Sequence, residues 1–427
     1  MLGLGRPPDS VADVIALAPP PKKPPRFAAA REALALRDFR FLFLSTVSSG
    51  YAQWAQMIGI GLLVYDLTGD SAFQLAAVSA VSGVVRFVVG PFVGTALDRY
   101  PRRQVLVAST LLSAAQGIVL AALVIGGYAA VWHAYAFMCL DALFSTTNQG
   151  ARQAFVYDVT TDETLPNAVA LNSIAQNLSR ISGPPLAAVL IGFFGISAPF
   201  IFLGILHALG AALTLPISRS TRQVMVSGIH PLRGPWEGLL YVRSEPALLG
   251  IMLVATIPAL LVYPYVQLLP VFAKDVLGGG AFEYGLLAAA IGWGSMMGLL
   301  GLAVAGDLRR KGIIAVWGMV GYTIALIAFS QSTTIWLSLL LLTIAGTFHG
   351  VSLALQQTLV QLLARNDMRG RTTSLFQMGF SLQPLGVLPM GVAIEEWGAG
   401  RGTGVFFVAA AVFFALMAVM WRSLRTV

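Results

Sequence analysis

Long apolar stretches alternate along the chain with short, polar and mostly basic interruptions. A helix rising about 1.5 Å per residue needs roughly 20 apolar residues to cross a bilayer core. Phe41 to Tyr65 is one such run without a formal charge, and Gln104 to Leu140 is uncharged too. The second run is too long for one helix, and Gly126-Gly127 offers the break. Gly312 to Ala364 lacks Lys, Arg, Asp and Glu, with Gln331-Ser332-Thr333-Thr334 as its polar interruption. The same pattern predicts twelve spans: 41–65, 72–97, 104–126, 131–150, 168–194, 197–217, 247–272, 283–305, 313–330, 334–362, 372–394 and 402–421. These runs far exceed the roughly ten-residue alternating strands of a membrane barrel. The expected fold is therefore an all-α membrane protein.

The longest connection between spans, Ser218 to Glu245, follows the sixth of twelve. The expected organisation is a proline-rich, disordered cytoplasmic tail over 1–38 and an N-terminal six-helix half over 39–217. A cytoplasmic linker over 218–245, a C-terminal six-helix half over 246–421 and a short cytoplasmic tail over 422–427 complete it. The tail segment Ala18-Pro-Pro-Pro-Lys-Lys-Pro-Pro-Arg26 is basic and lacks the apolar core of a cleaved signal peptide.

Composition agrees with lipid as the solvent. Hydrophobic residues make up 57% of the 427, and charged residues only 11%, well under the quarter usual for soluble domains. The net charge of +8 forms no folded basic face for nucleic acid. Lys and Arg concentrate instead in the tail, the even-numbered connections and the C-terminus, where Arg152 is counted as a connection charge. Lys274 and Arg401 alone fall in the opposite set, while Arg86 and Arg180 lie inside spans. The positive-inside rule then places both termini in the cytoplasm, in a multi-pass cytoplasmic (inner) membrane, with the basic excess facing anionic lipid. The lone Cys139 excludes an internal disulfide.

Gly94-Thr-Ala-Leu-Asp98-Arg99-Tyr-Pro-Arg102-Arg103 resembles the signature loop between helices two and three of the major facilitator superfamily. Pro101 and Ala96 depart from that pattern. Asp307, Arg309 and Arg310 resemble a degraded second copy after the eighth span, as related halves would show. Ala151-Arg152 to Phe155, Leu165 to Asn172, Asn177 to Pro184 and Arg369-Gly-Arg371 through Gly386 are similar to the enterobactin-exporter-like, drug-efflux branch. The resemblance covers about 37 to 421. It implies two pseudo-symmetric six-helix halves around a central cavity, alternating access, efflux and a monomer. Gly94, Asp98, Arg99, Arg102 and Arg103 act as a gating latch in one reading. In the other they are a solvated cluster that only sets topology.

Ionisable side chains at bilayer depth are functional candidates by default. Measured from the cytoplasmic ends of their helices, Arg86, Asp141 and Arg180 lie roughly 16, 14 and 18 Å deep. One arginine and Asp141 can form a buried pair that locks helices, which by itself is weak evidence of stabilisation. Alternatively the pair couples transport to protons, since burial and a neighbouring arginine act oppositely on a carboxyl's proton affinity. A third reading is substrate binding without coupling. Tyr51, Gln53 and Trp54 in span one, Tyr263, Tyr265 and Gln267 in span seven, His349 and Gln356 in span ten, and Gln377 and Gln383 in span eleven are the candidate cavity lining. Aromatic and amide groups of this kind suit an amphipathic organic molecule, although each can equally pack between helices. Gly183-Pro184-Pro185 is expected to distort span five.

No Gly-x-x-x-x-Gly-Lys-Ser/Thr loop for ATP is present. The four histidines are scattered, without His-Glu-x-x-His or paired carboxylates at depth, so no metal centre and no enzyme is expected. The sequence points to a secondary active transporter of the antiporter kind: a proton-coupled exporter of a small amphipathic organic molecule, siderophore-like or drug-like. It would use the proton gradient and no cofactor, with membrane lipid and its substrate as partners and no nucleic acid. An uncoupled facilitator or importer of the same fold is the alternative; an embedded enzyme or a sensor is the remote one.

Overall fold

A backbone N–H or C=O left unpaired in hydrocarbon costs several kcal/mol, so a chain with this pattern must close its hydrogen bonds within helices. In the computed structural model it does so. The structure describes residues 32–161, 163–218, 233–306, 308–365, 368–380 and 382–421. The first six spans are α1 (Arg37–Leu67), α2 (Ala72–Arg99), α3 (Arg102–Ile125), α4 (Val131–Val159), α5 (Leu165–Phe194) and α6 (Ala198–Thr214). Left-handed residues make the tight turns that the spans need. Gly69 (φ 65°) and Asp70 (φ 67°) reverse the chain after α1, and Gly127 (φ 71°) does so after α3.

The expected linker is partly helical, since α7 (Arg233–Ser244) occupies its end; residues 219–232 lie outside the described residues. Glu237 of this helix pairs with Arg371 at 3.0 Å. Span seven begins as α8 (Pro246–Leu261). After Pro258 it breaks into a 3-10 stretch at Tyr263–Leu268, a helical turn at Leu269–Val271 and a π stretch at Phe272–Val276. Spans eight to ten are α9 (Ala281–Ala305), α10 (Lys311–Ser330) and α11 (Ile335–Leu363). The last two comprise α12 (Arg369–Phe380) and α13 (Gln383–Met420), the latter bent at Gly398 (φ 79°). Seven of these stretches are long and apolar enough to cross a membrane by length and hydropathy. With the more polar and shorter helices they make the twelve-span fold, and the expected breaks at Gly126-Gly127 and Gln331–Thr334 both occur.

In the first six spans, α1 packs on α5 and α6, α3 on α4 and α6, and α2 on α4. In the last six, α11 packs on α9 and α10, and α13 on α8 and α10. Two seams, α5 against α9 and α2 against α13, join these groups. Glycine lets the backbones meet there. A Cβ on Gly285 would stand 2.9 Å from the Pro184 carbonyl oxygen, one on Gly292 3.3 Å from that of Arg180, and one on Gly391 3.2 Å from that of Ala72. Gly183 accommodates Trp54 of α1 in the same way. Through Pro184-Pro185, α5 nevertheless runs as one helix, so the expected distortion does not break it. Gly294 and Gly298 lie against the backbone of Thr343 and Thr347, and Gly346 and Gly350 against that of Ile291 and Ser295. Gly90, which has the same spacing signal, has nothing within 4 Å of its Cβ position.

This contrast is testable. Gly294→Ala forces a Cβ into a carbonyl and should destabilise by about 1–3 kcal/mol, lowering the melting temperature in detergent. Gly90→Ala should be neutral or slightly stabilising, because alanine is the better helix former. Equal losses from both would contradict the packing described.

Candidate functional site

The structure decides which arginine meets Asp141. Arg86 Nη2 of α2 lies 3.1 Å from Asp141 Oδ2 of α4. The buried Gln56 of α1 hydrogen-bonds the same carboxylate. The Asp141 side chain is 7% exposed and that of Arg86 is 39% exposed, so the carboxylate sits inside while the guanidinium reaches open space. Arg180 makes no ion pair among the described residues. It lies within electrostatic reach of Tyr263 and Tyr265 in span seven, Tyr322 in α10 and His349 in α11.

A buried cation lies elsewhere in the first six spans. Hydropathy places Arg152 in the connection after span four, but α4 continues to Val159 and carries it inside. Its guanidinium donates to Ser45 Oγ at 3.2 Å, Thr46 Oγ1 at 3.0 Å, Ser49 Oγ at 2.9 Å and Asn148 Oδ1 at 3.4 Å. Four neutral oxygens take the place of a carboxylate and tie α4 to α1. A charge near a predicted span end cannot be assigned to loop or helix by hydropathy alone, which is why it escaped.

The candidate cavity residues separate into several environments. Tyr263 is the centre of one: its hydroxyl is 3.2 Å from His349 Nε2, its ring stacks on Phe380 at 5.9 Å, and its carbonyl accepts from Gln383 Nε2 at 3.2 Å. Tyr322, absent from the sequence reading, lies 5.1 Å from the His349 ring. Tyr265 is fully buried between Phe329 and Phe407, and Gln356, also buried, donates to Ser352 at 2.8 Å. Tyr51 bonds Ser182 of α5 at 2.7 Å and Trp54 lies against Gly183. Gln53 and Gln377 are exposed, and Gln267 is half-buried.

The two groups of helices are bolted together at the end opposite the chain termini. Lys274 Nζ lies 2.5 Å from Asp66 Oδ1 and 2.9 Å from Asp70 Oδ1. Tyr65 donates to Asp275 at 2.5 Å. Glu395 of α13 accepts from Ser71 Oγ at 3.2 Å and from the Phe73 backbone N–H at 3.0 Å, at the start of α2. Every one of these contacts joins the first six spans to the last six. In the sequence Lys274 stood out only as a basic residue on the unexpected side. Asp66, Asp70, Asp275 and Glu395 occupy the connections at that same end and supply the missing signal.

The motif charges at the other end make no such bridge where their contacts are described. Arg102 pairs with Asp158 at 2.9 Å and donates to the Ala154 carbonyl at 3.2 Å, all between α3 and α4. Arg103 donates to the Leu215 carbonyl after α6. Arg99, Arg309 and Arg310 are exposed, and Arg310 is left-handed (φ 61°) before α10. Asp307 lies outside the described residues, as do the side chains around Gly94 and Asp98 at the end of α2.

Residues 42–384 match the family model of the Major Facilitator Superfamily. The chain belongs to that superfamily. Macrolide efflux protein A of Streptococcus pyogenes is 22% identical over 350 residues, spanning 79% of this chain and 86% of that protein. Enterobactin exporter EntS of Citrobacter koseri is 26% identical over 348 residues, 78% of each. The fold matches the crystal structure of the nucleoside transporter NupG with a TM-score of 0.69 at 11% identity, over 90% of this chain and 98% of that one. It also matches an inward-facing bacterial homologue of the lysosomal transporter Spinster, with a TM-score of 0.67 at 15% identity over 95% and 99%. Membership makes the chain a membrane transporter with efflux relatives, not an enzyme.

In a superfamily member closed at one end, the closing bonds hold one state. Lys274→Gln removes both ion pairs to Asp66 and Asp70. Spin labels at Thr68→Cys and Val276→Cys, one on each side of this closure, should then show a larger share of long distances. High salt should shift the parent in the same direction, because exposed pairs are screened. An unchanged distance distribution would show that the ion pairs do not hold the end shut.

Proposed function

We propose that this protein is a proton-coupled exporter of a small amphipathic organic molecule, working by alternating access in the cytoplasmic membrane with both termini inside. The observation that carries this reading is the Arg86–Asp141 pair: a buried carboxylate held by a half-exposed guanidinium and an amide. A carboxyl in such a position changes its proton affinity when the distance to its cation changes. Alternating access supplies that change if the helices bearing the pair shift between states. Coupling follows when the two states differ in proton affinity.

With the termini in the cytoplasm, the Lys274 closure lies on the outer side and the path to Arg86 opens inward. Substrate then enters from the cytoplasm or inner leaflet, between the Arg86 region and the Tyr263–His349–Phe380 group. Arg180, within electrostatic reach of Tyr263 and His349, favours neutral or anionic cargo over cationic cargo. The likeness to a macrolide efflux protein and an enterobactin exporter supports export as the direction. The motif residues Asp98, Arg99, Arg102 and Arg103 would close the inner end once the outer end opens. No cofactor is needed in this scheme, and one chain suffices.

The test is flux in inverted vesicles with an inside-acid gradient followed by a pH-sensitive dye, using a panel of siderophores, lipophilic drugs and dyes. At least one compound should dissipate the gradient in the parent and fail to do so in Asp141→Asn at equal membrane abundance. Transport of a compound that proceeds equally with and without the gradient would replace this reading with an uncoupled facilitator.

A further inference from the structure

The bend of α13 at Gly398 creates a cleft unrelated to the buried pair. Glu396 lies before the bend and Arg401 after it, and both line a cavity of about 750 Å³ between α10 and α13. Neither makes a hydrogen bond or an ion pair among the described residues. An exposed acid and an exposed base five positions apart, opening on one cleft and pairing with nothing, form a bipolar site.

The rest of the lining has a direction. Gln331 donates to the Gly400 carbonyl at 3.3 Å and to Ser330 at 3.0 Å, which fixes it at the cleft mouth. Trp397, 53% exposed, stands at the same level, where tryptophan marks the boundary between headgroups and hydrocarbon. From Arg401 the wall continues along the span as Val405 and Val408, 54% and 48% exposed, with Ile327 of α10 opposite. A charged mouth at helix-end level thus leads into an apolar groove along the membrane-spanning surface.

We propose that this cleft binds a zwitterionic phospholipid whose headgroup carries a primary ammonium. Arg401 takes the phosphate, for which a guanidinium fork is well shaped. Glu396 takes the ammonium, and an acyl chain lies along Val405 and Val408. An anionic headgroup would satisfy Arg401 but leave the Glu396 carboxylate facing a net negative ligand. A choline headgroup keeps the positive charge but has no N–H to donate. The cleft lies at the same end as the Lys274 closure, so its place in the outer leaflet rests on the orientation proposed above. The binding itself does not depend on transport direction or coupling.

The experiment is lipid titration of the delipidated, purified protein, read by native mass spectrometry and by melting temperature. The probes are phosphatidylethanolamine, phosphatidylcholine and phosphatidylglycerol with identical acyl chains. Phosphatidylethanolamine should bind about two- to fivefold more tightly than either of the others, the scale of one exposed ionic contact. Glu396→Gln should erase that preference while retaining binding, and Arg401→Gln should weaken all three lipids. Both variants should melt like the parent without added lipid, since both side chains are exposed and neither makes a hydrogen bond or ion pair among the described residues. Equal binding of the three lipids, a preference for phosphatidylglycerol, or a preference that survives both substitutions would overturn the proposal.

Discussion

Hydrocarbon offers no hydrogen bonds, so every polar group that enters it must bring its partner along. The helices are the first consequence of this constraint. The second is that the buried charges arrive accompanied: Asp141 by Arg86 and Gln56, and Arg152 by three hydroxyls and an amide. These two sites solve the same problem differently. Arg152 is fully enclosed by neutral acceptors, an arrangement that suits a strut between α1 and α4. Arg86 is half open beside a carboxylate, so the charge balance there can change when its surroundings move.

A third consequence is the way the two groups of helices meet. Without a hydrophobic force between apolar helices in lipid, close association depends on backbone approach and specific polar contacts. Both are found where the first six spans meet the last six. Gly285, Gly292 and Gly391 admit the opposite backbone, and the acids and Lys274 at the closed end add directional bonds. The glycine contacts tolerate sliding, whereas the exposed ion pairs are individually weak and screened. A closure built of several weak pairs is stable as a set and can be undone stepwise, which suits a gate better than a permanent weld.

Much of the fold was legible because hydropathy is a property of each stretch by itself. The breaks at Gly126-Gly127 and Gln331–Thr334 and the twelve spans could be read without knowing any neighbour. What depends on tertiary context was not legible. The helical end of the linker is held against α12 by Glu237 and Arg371, a pairing that no local pattern signals. At the site, counting residues from the helix ends brought Arg86, Asp141 and Arg180 to one depth. Depth leaves the direction around the helix open, so it could not choose between Arg86 and Arg180. The closure of Lys274 on Asp66 spans 208 positions of sequence, and no local pattern announces a pair so far apart. Only the coincidence of unlike charges at the same end of the spans hinted at it.

In the proposed mechanism the state of the Arg86–Asp141 pair and the state of the gates are one equilibrium. Spin labels at Tyr100→Cys and Ala305→Cys, both exposed at the end opposite the Lys274 closure and on opposite groups of helices, report that equilibrium as pH is varied. The distance distribution should shift with pH in the parent and stay fixed at its low-pH form in Asp141→Asn. The same pH-dependent shift in both proteins would contradict it.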